Sequence, residues 1–226
     1  MPVIDLQALL GRVRGAASRP AYSDGDEKIP GMTQGGEILV AEALPERTEL
    51  VRLGNSWSAQ IPTGSAFTFV NAWPTTRAEL VLWNGEASSG KTYVIDRCWM
   101  SNITSQGAAQ PYSLLAQLAP VNLAIASPTD NTAVLRQQLS NRLVTCSSSA
   151  RLMLANTAFA LTNHWFTLGN GPVFAMTTNL GGSIEAECRG RYLVPPGGAF
   201  CLAGLAGTAA GTAICGVEWH EVQMTV

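Results

Sequence analysis

Charge is what this chain has least of. Asp, Glu, Lys and Arg make up 13% of its 226 residues, about half the usual share for a soluble domain. The net charge is −2 and no basic block occurs, which argues against broad electrostatic capture of nucleic acid or of an anionic membrane. A surface so poor in charge fits a protein partly covered by other subunits, because interface cores are depleted of charged side chains. The cysteines are five, Cys98, Cys146, Cys188, Cys201 and Cys215, widely spaced and without a single C-x-x-C. That pattern argues against a disulfide framework and gives no spacing for a structural zinc, so the thiols read as small apolar core residues made in a reducing cytoplasm. No repeat, collagen-like tract or coiled-coil stalk occurs. Residues 1–10 lack a basic leader and carry Asp5 inside their apolar run, which does not read as an export signal. One uncharged run, residues 192–217, contains Gly207 and Gly211 in a G-x-x-x-G. Pro195, Pro196, Gly197 and Gly198 break it early and further glycines dilute it, so it reads as two strands joined by a small-residue loop rather than a membrane span.

What is plentiful is turn chemistry. The central stretch, residues 78–100, holds Gly85, Gly90, Lys91 and Thr92, which satisfy the G-x-x-x-x-G-K-[ST] pattern of a phosphate-binding loop. That chemistry needs a strand entering the loop and a helix leaving it, so that loop amides and the helix N-terminus cradle the phosphates. Leu80 to Trp83 supplies the strand, but Thr92, Tyr93, Val94 and Ile95 are β-branched or aromatic and favour a second strand. Asn84-Gly85 and Ser88-Ser89-Gly90 then mark the tip of a β-hairpin. The match is read as false, and no nucleotide or other cofactor is expected.

Along the chain, Leu6, Leu9, Leu10 and Val13 fall at i, i+3, i+4 and i+7, with Asp5 placed as an N-cap, and predict a helix over residues 3–13. Residues 15–36 are rich in small, charged and turn residues and read as an extended arm. The helix either packs back on the body or docks on something else. Asp24, Asp26 and Glu27 lack the later ligands of a calcium loop and read as a solvated turn. From residue 37 the signals are short and β-like: strands are expected at residues 38–41, 49–53, 67–72, 79–83 and 92–99. A polar connection follows residue 101, then an apolar run at 121–126, an ambiguous stretch at 130–143 and an apolar, aromatic segment at 151–167. Further strands are expected at 173–178, 183–188, 200–205 and 213–226. This spacing of turn signals predicts an all-β sandwich over residues 36–226 preceded by a helix and arm over residues 1–35.

No catalytic constellation emerges. His164 and His220 are the only histidines, and a metal site asks for a denser cluster of ligands. Glu185 and Glu187, like Glu218 and His220, lie two apart and share a strand face. Paired carboxylates can hydrolyse glycosides, but alternating polar residues are also what any solvent-facing strand shows.

The hairpin W-N-G-E-A-S-S-G-K-T-Y-V-I at residues 83–95, the turn G-R-Y-L-V-P-P-G at 190–197 and the terminal V-E-W-H-E-V at 217–222 together resemble a diffuse family of β-sandwich structural proteins of tailed-phage virions. Those proteins show an N-x-x-x-S-G-K hairpin, a V-P-P-G turn and a terminal W-x-E-V strand in that order. The resemblance covers residues 36–226. It implies a jelly-roll-like antiparallel β-sandwich, a homotrimer made in the bacterial host cytoplasm and carried on the virion, without enzymatic activity. As a cement or decoration protein it would bind the major capsid protein or another virion protein. Leu6, Leu9, Leu10 and Val13 are then the expected docking stripe, and the uncharged surface around residues 192–217 the expected trimer contact. The alternative is a receptor- or carbohydrate-binding module of a head or tail fibre, suggested by six tryptophans.

Overall fold

The computed structural model describes residues 50–51, 54–104, 110–119, 136–138, 148–156, 161, 163–174, 182–208 and 210–223. All of them belong to the unit that spans residues 47–226. The expected helix over residues 3–13, with Leu6, Leu9, Leu10 and Val13, the arm and the strand at 38–41 lie outside the described residues.

Twelve strands are described: β1 (Ser56–Gln60), β2 (Phe67–Thr68), β3 (Ala78–Asn84), β4 (Lys91–Asn102), β5 (Gln110–Ala119), β6 (Arg136–Gln138), β7 (Ala150–Asn156), β8 (Phe166–Phe174), β9 (Ser183–Glu187), β10 (Leu193–Val194), β11 (Ala199–Ala206) and β12 (Thr212–Gln223). They form two antiparallel sheets. The first contains the run β1-β12-β4-β9 and the second the run β3-β11-β5-β8. Numbering those eight strands along the chain gives the orders 1-8-3-6 and 2-7-4-5, which is the double Greek key of a jelly roll. The short strands decorate it: β6 flanks β1, β7 flanks β3, β10 extends the edge beside β4, and β2 pairs the start of β12.

The core lies between the sheets. From β4 come Tyr93, Ile95, Cys98 and Met100, from β12 Ala213, Cys215, Val217 and Trp219, and from the facing sheet Leu80, Leu82, Leu114, Phe200 and Leu202. Phe67, Phe69 and Tyr112 form a chain of tilted rings at one end, with centroids 5.8 and 5.7 Å apart. Gly204 makes room for it, since a Cβ there would lie 2.6 Å from Phe67. The outer face of the second sheet is buried as well: Val81, Met153 and Cys201 gather with Leu161, and Trp165 packs against them.

That double burial explains two departures from the sequence reading. Residues 110–119 form the ten-residue strand β5 rather than a polar connection. Leu114, Leu115, Ala116 and Gln117 are all fully buried, so the alternation that marks a one-sided strand never develops, and Pro111 is tolerated near the strand's start. The uncharged segment over residues 192–217 is mostly interior rather than surface, with Leu193 as its exposed apolar side chain. Its β11 is central to the second sheet and its β12 to the first, and nearly every residue of both is buried. Charge is absent there because the sandwich core excludes it. Residues 49–53 also differ, because Leu50 and Val51 are helical. Gly54 N–H donates to Val51 and Asn55 N–H to Leu50, both at 3.0 Å, with Gly54 at φ 77°, the glycine cap that stops a helix before β1. The apolar segment 151–167 divides between β7 and β8. Of the ambiguous stretch 130–143, residues 136–138 are strand, while the expected run at 121–126 lies outside the described residues.

Candidate functional site

Asn84 is the hub of the hairpin. It is fully buried, and its Nδ2 donates to the carbonyls of Lys91 at 2.9 Å and Val194 at 2.8 Å. Its Oδ1 accepts the Glu86 N–H, and its backbone exchanges hydrogen bonds with Gly197 and Gly198. Gly198 N–H in turn closes the Pro-Pro turn on Pro195 O at 2.9 Å, with Gly197 at φ 78°. One amide side chain therefore ties the tip of residues 84–91 to the turn at 195–198, and with it two of the motifs that carried the resemblance. Gly85 and Gly90 sit in the tip, while Lys91 and Thr92 open β4, so a strand, and not a helix, leaves the loop.

Lys91 departs from expectation. A lysine at a hairpin tip is expected to be solvated, yet its Nζ lies 3.2 Å from Glu221 Oε2, and the Glu221 side chain is only 1% exposed. Lys91 and Glu221 sit diagonally across β4 and β12, on the inward faces near one end of the sandwich. The ammonium neutralises a carboxylate that would otherwise be buried uncompensated.

Midway along β4 the ladder slips. Glu218 pairs Arg97 but Trp219 pairs Ile95, which leaves Asp96 as the extra residue of a β-bulge. The bulge turns the Asp96 carboxylate toward His220, whose Nδ1 is 3.0 and 2.9 Å from its two oxygens, and both residues are buried. It also presents the Asp96 carbonyl to the Cys188 N–H at 2.7 Å, pinning the end of β9 to β4. One residue along, Arg97 bridges three strands, bonding Glu185 at 2.6 Å and Glu218 at 2.5 Å. Glu218, then Glu185, hold its proton more firmly and raise the guanidinium's pKa. The guanidinium also lies 5.5 Å from the Trp99 ring centre. Trp99 rests on Gly216, whose missing side chain leaves the place the indole occupies.

The residues singled out from sequence are thus accounted for by pairing. Glu218 and His220 do share a face, but each has its own partner, Arg97 and Asp96. Glu185 binds Arg97, and Glu187 lies 3.7 Å from exposed Arg189. His164 is exposed in the connection before β8, far along the chain from these pairs. Four cysteines are described, all free and buried. Burial pushes the Cys201 thiol up to about 12 and Cys215 higher still, as for inert core thiols. Cys98 and Cys188 differ, because their sulfurs are 3.8 Å apart. Among the described residues no three His, Cys, Asp or Glu side chains gather as a metal site would require, and no helix is long and apolar enough to cross a membrane. Large apolar side chains reach the surface at Trp73, 54% exposed, Phe166, 44%, and Leu193, 40%. Phe166 stacks at 5.6 Å on Tyr192, which leads inward to Phe200.

What this arrangement does chemically is hold strands in register and neutralise charge across them. The class is therefore a jelly-roll sandwich with internally paired ionisable groups. No family model, curated protein or solved structure matches the chain.

Proposed function

We propose that the protein is a non-enzymatic structural component of a tailed-phage virion, a cement or decoration protein that binds the major capsid protein and stabilises the head as a homotrimer. The observation that carries the reading is the joining of the resemblance's anchors in space. Asn84 of the N-G-E-A-S-S-G-K hairpin bonds both flanks of the V-P-P-G turn, and the terminal W-x-E-V strand supplies Glu221 to the Lys91 of that hairpin. The jelly roll itself is shared by viral capsid, lectin and cupin domains, so the fold admits this function without choosing it. Pairing of Asp96 with His220, and of Arg97 with Glu185 and Glu218, supports a scaffold role over hydrolysis by these carboxylates. The exposed Phe166 and Leu193 beside Tyr192 offer apolar contact area suited to a neighbouring subunit.

The test is composition of the particle. Phage particles banded by density from an infected lysate should contain the chain in a fixed ratio to the major capsid protein, and light scattering of the purified chain should give three times 23.9 kDa. Absence from washed particles overturns the reading. A second reading, a carbohydrate-binding module, is favoured by one feature: half-buried Trp99 lies on the outer face of the first sheet beside Arg97 and Glu185, an aromatic ring flanked by polar groups. Glycan-array binding abolished by Trp99→Ala would select it.

A further inference from the structure

We propose that Cys98 and Cys188 form a reversible disulfide that locks the β9 edge to the core strand β4, with hydrogen peroxide, or a peroxide of similar size, as the oxidant. The inference rests on geometry and stands apart from the virion reading. The two sulfurs are 3.8 Å apart, and a disulfide needs an approach to about 2 Å from side chains already facing one another. The ladder brings them together. Cys98 pairs Ala186 and Arg97 pairs Glu187, so Cys188 continues the same inward face one step beyond Ala186. The residue that would sit opposite Cys188 is Asp96, and the bulge has turned its carboxylate out to His220. The space opposite Cys188 is therefore left to its diagonal neighbour, the Cys98 thiol.

The two thiols are unequal. The hydrogen bond from Cys98 favours the thiolate of Cys188 and lowers its pKa, while burial raises that of Cys98. Cys188 also lies at the end of β9, where Arg189 and Gly190 take positive φ of 48° and 74° and the turn closes on itself through Arg191 N–H to Cys188 O. Such a strand end opens locally at lower cost than the middle of β4. Cys188 is accordingly the attacking sulfur and Cys98 the resolving one. The Cys188 thiolate attacks one peroxide oxygen, so that an S–O bond forms, the O–O bond breaks, and hydroxide leaves to be protonated to water. Cys98 sulfur then attacks the sulfenic sulfur, forming S–S as the S–O bond breaks, and the departing hydroxide takes the Cys98 proton as a second water. Two thiols lose two electrons and one peroxide is reduced to two waters. The bridge joins residues 90 apart in the chain, a span over which a cross-link constrains the unfolded state strongly.

The full chain, reduced and then exposed to hydrogen peroxide, is alkylated after unfolding and digested for mass spectrometry. The expected product is a Cys98-to-Cys188 linked peptide, lighter than the two free peptides by two hydrogens, reversed by dithiothreitol. Its appearance should accompany a melting midpoint higher by roughly 5 °C or more. Cys188→Ser, at the strand end, keeps the fold and should show neither the link nor the shift. Complete alkylation of both thiols after oxidation overturns the proposal, as does sulfinic acid at Cys188, a bridge to Cys146, or a shift that persists in Cys188→Ser.

Discussion

Both carboxylate oxygens of Asp96 lie within 3.0 Å of Nδ1 of His220, although Asp96 belongs to no pair of the β4–β12 ladder. The slip in register creates the contact, because it leaves Asp96 unpaired beside Arg97, between the core residues Ile95 and Cys98. A buried carboxylate and a buried imidazole then satisfy one another, where either alone would carry a desolvation cost.

The pair should therefore be coupled in stability. In a double-mutant cycle of Asp96→Ala and His220→Ala, urea unfolding should give a coupling of about 1.5 to 3 kcal/mol, the range for a hydrogen bond to a charged group. A coupling near zero would mean that the bulge is held by backbone bonds to Cys188 alone.

Lys91→Met removes the cation from Glu221 and should cost about 1 to 3 kcal/mol, below the value for a fully buried pair because Lys91 keeps a third of its side chain in water. Adding Glu221→Gln should recover most of the loss, since no buried charge then remains. Equal stability of Lys91→Met and the parent protein would return Lys91 to the status of a solvated tip charge.

Much of the fold was legible because apolar or β-branched runs bounded by turn residues announce strands, whether one face is buried or both. Strands β3, β4, β9, β11 and β12 fall where alternating or β-branched runs placed them, and the breaks at Asn84-Gly85 and Pro195-Pro196-Gly197 are turns. Strand β5 was missed because Gln110, Pro111, Ser113 and Gln117 interrupt its apolar run, and β1 because Trp57 and Ala59 are too short a pattern among Ser56, Ser58 and Gln60. The pairs were not legible for a different reason. Asp96 with His220, Lys91 with Glu221 and Cys98 with Cys188 each join positions 90 or more residues apart, and the first depends on a bulge that leaves no trace in residue type. A charged residue directly after the apolar run Tyr93, Val94, Ile95 was the one available signal that the strand is irregular at Asp96.

Glu79 should make stability depend on pH on the acid side. Burial, opposed by Arg77, raises its pKa above the ordinary value of 4.5, so the native state holds its proton more tightly than the unfolded chain. The associated stability is present in full below the unfolded pKa and is lost as pH rises through the raised folded value. Glu79→Gln should accordingly be more stable than the parent at pH 7 and equal to it near pH 3, as read from denaturation midpoints at both values. Arg77 is half exposed, so loss of its ion pair offsets little of the gain. A parent advantage at pH 7 would show that the Arg77 pair outweighs the burial.

The sharpest substitution is at Asn84, where Asp is nearly the same shape and the opposite chemistry. The amide nitrogen donates to two carbonyls, Lys91 O and Val194 O, and a carboxylate in its place puts negative charge against both acceptors with no solvent to screen it. Asn84→Ala loses all three side-chain bonds and leaves those carbonyls and the Glu86 N–H to find water, at about 2 to 3 kcal/mol. Asn84→Asp should cost more at pH 7, about 3 kcal/mol or above, because the charge itself is buried and unpaired. The excess has a sign that identifies it. The introduced carboxyl has its folded pKa raised by burial and by the facing carbonyls, so the penalty is absent below the unfolded value of about 3.9 and grows as pH rises through the folded one. Asn84→Asp should thus converge on, or surpass, Asn84→Ala near pH 3, where the protonated carboxyl donates to one carbonyl. If the two variants keep the same stability difference from pH 3 to pH 7, residue 84 is solvated in the folded protein and the hairpin is not tied to the Pro-Pro-Gly turn through its side chain.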